Sequence, residues 1–222
     1  MAITVAEIVR RVKSAIDELT QEGTDFSDLT NDVANMTQII VDKIGYGLTF
    51  ILENAPLDKL DSSMFEQTSP AGSIVSGTGA EKAQVSDDVI RVVSARLSSW
   101  TYAPVPVPES SQVALMQSDE YAKGSWDRPV SVLTFENNNR YLYMYSPKTN
   151  SVETCYMTVV KKPDVSGISV SNLSASVNVP SRLEAALVYQ VAGLTMLAYR
   201  EDVAQSLFNV ARNYLSAEVS EG

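Results

Sequence analysis

Apolar positions along the chain change rhythm twice. Val5, Ile8, Val9, Val12, Ile16 and Leu19 recur at three- and four-residue spacing, which predicts an amphipathic helix over 5–20. Thr4 and Glu7 open it in the pattern of a capping box, each side chain placed to answer an exposed amide of the first turn. QEGTDFSD breaks the pattern. A longer helix is predicted from near Asn31, carrying Val33, Met36, Ile40, Ile44, Leu48, Ile51 and Leu52 until Ala55-Pro56 stops it. Gly45 and Gly47 in its middle each cost roughly 1 kcal/mol against alanine. They permit a close crossing or a bend there.

Residues 61–87 are rich in Ser, Gly and Thr with little periodicity. They read as a long connection or docking loop, with room for a hairpin around Gly77-Thr78-Gly79. The rhythm then becomes that of strands: VIRVVSARL, WTYAPVPV, QVALM, VSVLTF, RYLYMYS and VETCYMTVV, separated by Pro-rich and Asn-rich turns. In 141–145, Tyr141, Tyr143 and Tyr145 share one face while Leu142 and Met144 take the other. Six short strands over 88–165 predict an antiparallel, sandwich-like module.

Helical spacing returns after Pro180. Ser181-Arg182-Leu183-Glu184 repeats the capping-box pattern, and a helix over 182–199 carries Leu183, Leu187, Val191 and Leu194. This stretch is apolar around most of its circumference, so it must be buried nearly all round. Ala185, Ala186, Ala192 and Gly193 keep it thin enough for other helices to cross closely, from the same chain or from a neighbouring copy. A last helix carries Val203, Leu207, Phe208, Ala211, Tyr214 and Leu215. The fold class expected is α+β: residues 1–60 and 178–222 form one helical bundle, with the β module inserted between them and helix 182–199 at the bundle's centre.

Composition narrows the chemistry. The chain of 222 residues is 45% hydrophobic and 20% charged, with a net charge of −10 and no histidine. No apolar run approaches the ~18 residues of a membrane span, and MAITVAEIVRR lacks the form of a signal peptide. The acidic balance opposes affinity for nucleic acid or anionic membranes. Without histidine, a Ser-His-Asp or Cys-His site cannot be built. The lone Cys155 excludes an internal disulfide, suits a reducing compartment and lies in a strand pattern, where a buried thiol is expected. Gly72 to Thr78 begins like a phosphate loop but has Thr78 where the lysine belongs, and Gly77-Thr78-Gly79 lacks the third glycine of a dinucleotide turn. Asp87-Asp88 and Asp119-Glu120 read as solvated or capping carboxylates. The sequence therefore points to no enzyme, with no catalytic, cofactor or metal residues.

Trp100, Tyr102, Trp126, Tyr141, Tyr143 and Tyr145 could form a sugar or base platform. On strands, an aromatic stripe more commonly packs a sheet or an interface, and among these strands only Arg140 is available for a nucleic-acid backbone.

Three stretches carry a resemblance. Ile8-Val9-Arg10-Arg11-Val12 through Asp17-Glu18, then Arg91-Val92-Val93-Ser94 with Trp100 and Trp126-Asp127-Arg128-Pro129, then Ala185 to Ala192 with Ala204 to Leu215 resemble adaptor, ring and tail-tube proteins beneath the portal of tailed phages. The podovirus-like tail-tube and crAss-like phage ring proteins are the most similar in layout. The resemblance implies a structural virion protein of the head–tail connector, assembled in the host cytoplasm and located in the neck or tail. It implies a homo-oligomeric ring, a dodecamer in keeping with the portal, joined to the portal and neighbouring neck or tail proteins. The genome passes through such a ring without specific binding, which a lumen of like sign to the phosphates favours. Arg10, Arg11, Asp17 and Glu18 are the candidates for inter-helix or intersubunit ion pairs, and Gly193 for a close helix crossing. The polar tips 136–139 and 147–150 are candidates for docking. The alternative is a β-sandwich ligand-binding or adhesion module that uses the aromatic stripe.

Overall fold

A computed structural model describes residues 2–20, 33–119, 121–145, 147–148 and 151–216, without the side chains of 18–20 and 33–35. It is an α+β protein of two compact units, Met1–Asp61 with Pro163–Gly222, and Ser62–Lys162.

In the first unit, a short strand β1 (Ala2–Thr4) leads into helix α1 (Val5–Thr20), and helix α2 spans Val33–Asn54. β1 pairs antiparallel with β10 (Ser176–Asn178), and helices α4 (Glu184–Met196) and α5 (Glu201–Ser216) follow. The expected start of the second helix near Asn31 lies outside the described residues. The amides of Val5 and Ala6 donate to the carbonyls of Ala175 and Leu173, both at 2.9 Å, so the segment before β10 answers the first exposed donors of α1. Half of the expected capping box is present, the Glu7 amide donating to Thr4 Oγ1 at 3.3 Å. The second box does not form. Residues Ser181–Leu183 make a 3₁₀ turn and no side chain caps α4.

α4 packs against α1, α2 and α5 and is the centre of this unit. Ala186, Leu187, Val188, Val191, Ala192 and Met196 are buried, as are Gln190 and Thr195. Leu194, expected in the core, is only half-buried. The hydroxyl of buried Thr195 donates to the Val191 carbonyl at 2.9 Å, a bond within the helix that removes the cost of burying it.

Two glycines set how closely α4 is approached. A Cβ at Gly47 of α2 would stand 2.6 Å from Val191 Cγ2, and one at Gly193 of α4 would stand 2.5 Å from the Phe208 ring of α5. Both distances are below any real carbon–carbon contact, so the two crossings require glycine. Gly193 is thus met from within its own chain by Phe208, the first of the two outcomes expected for its close crossing.

The second unit is a sandwich of two sheets. One has the order β2-β9-β5 (Glu66–Thr68, Cys155–Lys161, Val89–Leu97). The other has the order β3-β4-β8-β7-β6 (Gly72–Ile74, Glu81–Val85, Asn139–Tyr145, Val130–Glu136, Val107–Pro108). Ala83, Val85, Leu142 and Met144 of the second sheet share one core with Val89, Ala95, Leu97, Cys155, Met157 and Val159 of the first, together with Trp100. All pairings are antiparallel except β6 with β7.

Several expected boundaries shift. Residues 61–87, expected as a connection, supply three strands. The hairpin between β3 and β4 turns at Gly77 and Gly79, whose φ values of 93° and 64° suit glycine. QVALM, expected as a strand, is instead the single-turn helix α3 (Gln112–Leu115) and a following 3₁₀ turn, capped by Ser111 Oγ accepting from the Ala114 amide at 3.1 Å. Of WTYAPVPV only Val107 joins a sheet, in the two-residue strand Val107–Pro108, because Pro104 and Pro106 remove ladder donors. The helical unit resumes at 163 rather than 178.

The Gly193 contact yields a test. Gly193→Leu should overpack the subunit and destabilise it by about 1–3 kcal/mol, measured as a lowered urea midpoint. Phe208→Ala in the same chain should recover part of that loss.

Candidate functional site

The first expected constellation was the charged face of α1, and the structure closes it within the chain. Arg10 donates to Glu7 through Nε at 2.8 Å and Nη2 at 2.7 Å. Arg11 donates to Glu7 at 2.6 Å and reaches across to Glu184 of α4 at 3.0 Å. The bonds from Arg10 and then Arg11 hold the Glu7 carboxyl down at about 2. Arg11 therefore makes an inter-helix pair, one of the two outcomes expected for it, while Arg10 pairs within α1. Asp17 is exposed, and the Glu18 side chain lies outside the described residues. A shallow hollow of about 310 Å³ opens beside Arg10 and Arg11, floored by Ala15, Ala185, Val188 and Tyr189. Tyr189 stacks on Tyr214 of α5 with ring centroids 5.6 Å apart.

A further charged group with a role in the fold is Lys59. It is buried, and its ammonium donates to the carbonyls of Tyr214 at 3.0 Å and Leu215 at 2.8 Å. A cation there answers two carbonyls of the last turn of α5 and complements its dipole. Nothing local in the sequence marks it, since its partners lie more than 150 residues away.

The aromatic set is divided among different surroundings. Trp100 is in the sandwich core. Tyr141, Tyr143 and Tyr145 share one face of β8, as their alternation predicts, and each ring has a partner in the chain. Lys82 lies 3.9 Å from the Tyr141 centroid and 5.4 Å from that of Tyr143, and Tyr143 stacks on Tyr145 at 6.4 Å. Lys82 also pairs with Glu136, which accepts from the Tyr143 hydroxyl as well. These bonds, that of Lys82 first, lower the Glu136 carboxyl and raise the Lys82 ammonium. This is sheet packing rather than an open stacking platform. Arg140, the one basic residue considered for a nucleic-acid backbone, donates instead to the carbonyls of Ser86, Val89 and Ile90.

The remaining candidates have structural roles. Cys155 is buried with Sγ 3.4 Å from Met144 Sδ, and burial, then the nearby Glu81, pushes its thiol up to about 12. Asp88 pairs with Lys161 at 3.4 Å, and Asp119 accepts from the amides of Tyr121 and Ala122. Glu120 lies outside the described residues. Gly72 to Thr78 forms a strand and a hairpin turn rather than a phosphate loop. Among the described residues, no three His, Cys, Asp or Glu side chains are grouped so as to hold a metal ion. No helix among them is long and apolar enough to cross a membrane.

The tip 136–139 is a two-residue turn with Asn137 and Asn138 at φ 48° and 64°, the left-handed region that asparagine tolerates. Of the tip 147–150, residues 149 and 150 lie outside the described residues. Large exposed apolar side chains occur on both units, Tyr46 of α2 at 71% among them. Tyr102, Val105, Leu115, Met116, Tyr121 and Phe135 are all exposed large apolar side chains, Leu115 at 67% and Phe135 at 70%. Pro106, Pro108, Leu133 and Phe135 line a hollow of about 560 Å³ with Glu109 and Ser110 at its margin.

No family model and no curated protein matches the chain.

Two tests follow from these charges. Lys59→Met should lower stability by about 1.5–3 kcal/mol, the usual worth of charge-assisted bonds, read from the denaturant midpoint. Because the folded Glu7 carboxyl lies below its unfolded value of 4.5, its contribution is present above about pH 4.5 and is lost as pH falls toward 2. Thermal melts between pH 2 and 6 should show a smaller acid-side decline in Glu7→Gln than in the unmodified chain.

Proposed function

We propose that this protein is a structural virion protein that forms an oligomeric ring of the phage head–tail connector, below the portal, through which the genome passes. The observation that carries the reading is the chain order: a helical unit assembled from segments on both sides of an inserted antiparallel sandwich. That is the arrangement the resemblance implies. Exposed apolar side chains between 102 and 135 support a role in binding other proteins, since surfaces of this kind commonly mark interaction sites. Among the described residues, the charged and nucleophilic groups considered above are engaged in pairing, capping or packing. The net charge of −10 favours a lumen along which DNA slides without adhering.

In this reading the ring is a dodecamer, and the exposed face around Leu115 and Phe135 meets the neighbouring neck or tail component. Mass photometry and negative-stain images of the purified protein, alone and with its portal, test it. Closed rings of uniform subunit number are expected. A protein that remains monomeric with portal present and binds a glycan would overturn the reading in favour of an adhesion module. Leu115→Glu with Phe135→Glu should leave the subunit folded and abolish joining to the next component, because both side chains are already in solvent. Normal joining by this variant would remove that face from the interface.

A further inference from the structure

β4 alternates between core and surface, and Glu81, Ala83 and Val85 all face inward. The first of these inward positions holds a carboxyl group where an apolar side chain belongs. Glu81 is 0% exposed. Its Oε2 accepts from the Glu153 amide at 2.9 Å, and its Oε1 is buried with no hydrogen-bond partner. Gly72 of β3 lies directly over it: a Cβ there would stand 2.0 Å from Oε1, so the carboxyl occupies the space that any other residue would fill.

We propose that Glu81 is a proton-operated latch of the sandwich, protonated while the β3–β4 hairpin is closed on the 151–155 segment and ionised once they part. An ionised carboxylate with one amide donor and no cation is costly to bury, and holding the proton avoids that cost. Among the described residues, the groups facing it offer no relief. Glu153 contributes a second carboxylate, itself held by the Ser98 hydroxyl and the amides of Ser99 and Lys148. Cys155 contributes a thiol that stays protonated. Met144, opposite Glu81 on β8, is uncharged, and so are Gly72 and Ile74 on β3. The adjacent cation, Lys82, belongs to the other face and pairs with Glu136. Burial raises the Glu81 carboxyl; the Glu153 amide opposes this and the Glu153 carboxylate adds to it.

Opening breaks the hydrogen bond from the Glu153 amide to Oε2 and the O–H bond of the carboxyl, whose proton passes to water. The sign follows from a folded value above the unfolded 4.5. The latch is fully closed below about pH 4.5 and weakens as pH rises, until Glu81 ionises in place. Each opening releases one proton, so the opening constant grows up to about tenfold per pH unit in that window. The inference is independent of the proposed function.

Cys155, buried beside the latch, reports its opening. Its labelling by a thiol reagent is measured from pH 5 to 9 in the full chain and in Glu81→Gln, which keeps the neutral form and shares the same intrinsic thiol chemistry. The ratio of unmodified to variant rates should climb with pH by up to about tenfold per unit and then level. A ratio constant with pH overturns the latch. Should the variant fail to fold, carbon-13 titration of the Glu81 carboxyl in the unmodified chain decides the question. A midpoint above 4.5 supports the latch, and one at or below 4.5 overturns it.

Discussion

The helical unit depends on one constraint, that α4 has almost no polar face to leave in water. Every side of it must meet another element, and thirteen residues offer little room for three neighbours. Glycine resolves the crowding. Gly47 admits Val191 to the backbone of α2, and Gly193 admits the Phe208 ring to the backbone of α4. Interiors are packed too densely to absorb even one added methyl group without some shift. These two positions therefore fix how far α2 and α5 stand from the central helix. The sites of lowest helix propensity are where the bundle is tightest.

Charge is used to secure ends and junctions. Arg11 ties α1 to the first turn of α4, Lys59 closes the last turn of α5, and Arg140 gathers the Ser86 carbonyl with those of the first two residues of β5. The exposed pairs of Arg10 and Arg11 contribute little to stability, as surface ion pairs generally do. Lys59 differs because burial would make its loss leave two carbonyls without their donor. Glu81 is the exception to this economy, a carboxyl enclosed without a cation. The Gly72 backbone above it and the Glu153 amide beside it define its place.

These arrangements bear on the functional proposal. Arg10 and Arg11, expected to make inter-helix or intersubunit pairs, both have carboxylate partners within the chain. Large apolar side chains are exposed on both units, Leu115 and Phe135 on the sandwich and Tyr46 on α2 among them. Assembly through such a surface draws on the hydrophobic effect and is insensitive to salt, unlike assembly through ion pairs.

Periodicity alone determined the four long helices, the strands at 89–97, 130–136, 139–145 and 155–161, and the insertion of a sheet unit between two helical segments. These signals are local, repeated over many residues, and tied directly to which face is buried. It also determined the buried character of Cys155 and the shared face of Tyr141, Tyr143 and Tyr145. Tertiary structure decided the rest. The strands at 66–68, 72–74 and 81–85 are short, and they exist because β9 pairs with the first, β8 with the third and the third in turn with the second. α3 replaced a strand once prolines had taken the preceding segment out of the ladder. That Phe208 of α5 covers Gly193, and that Arg11 reaches across to Glu184 as well as along its own helix to Glu7, turned on how the helices pack. Spacing records which side of an element is apolar; only the packed chain determines what lies against it.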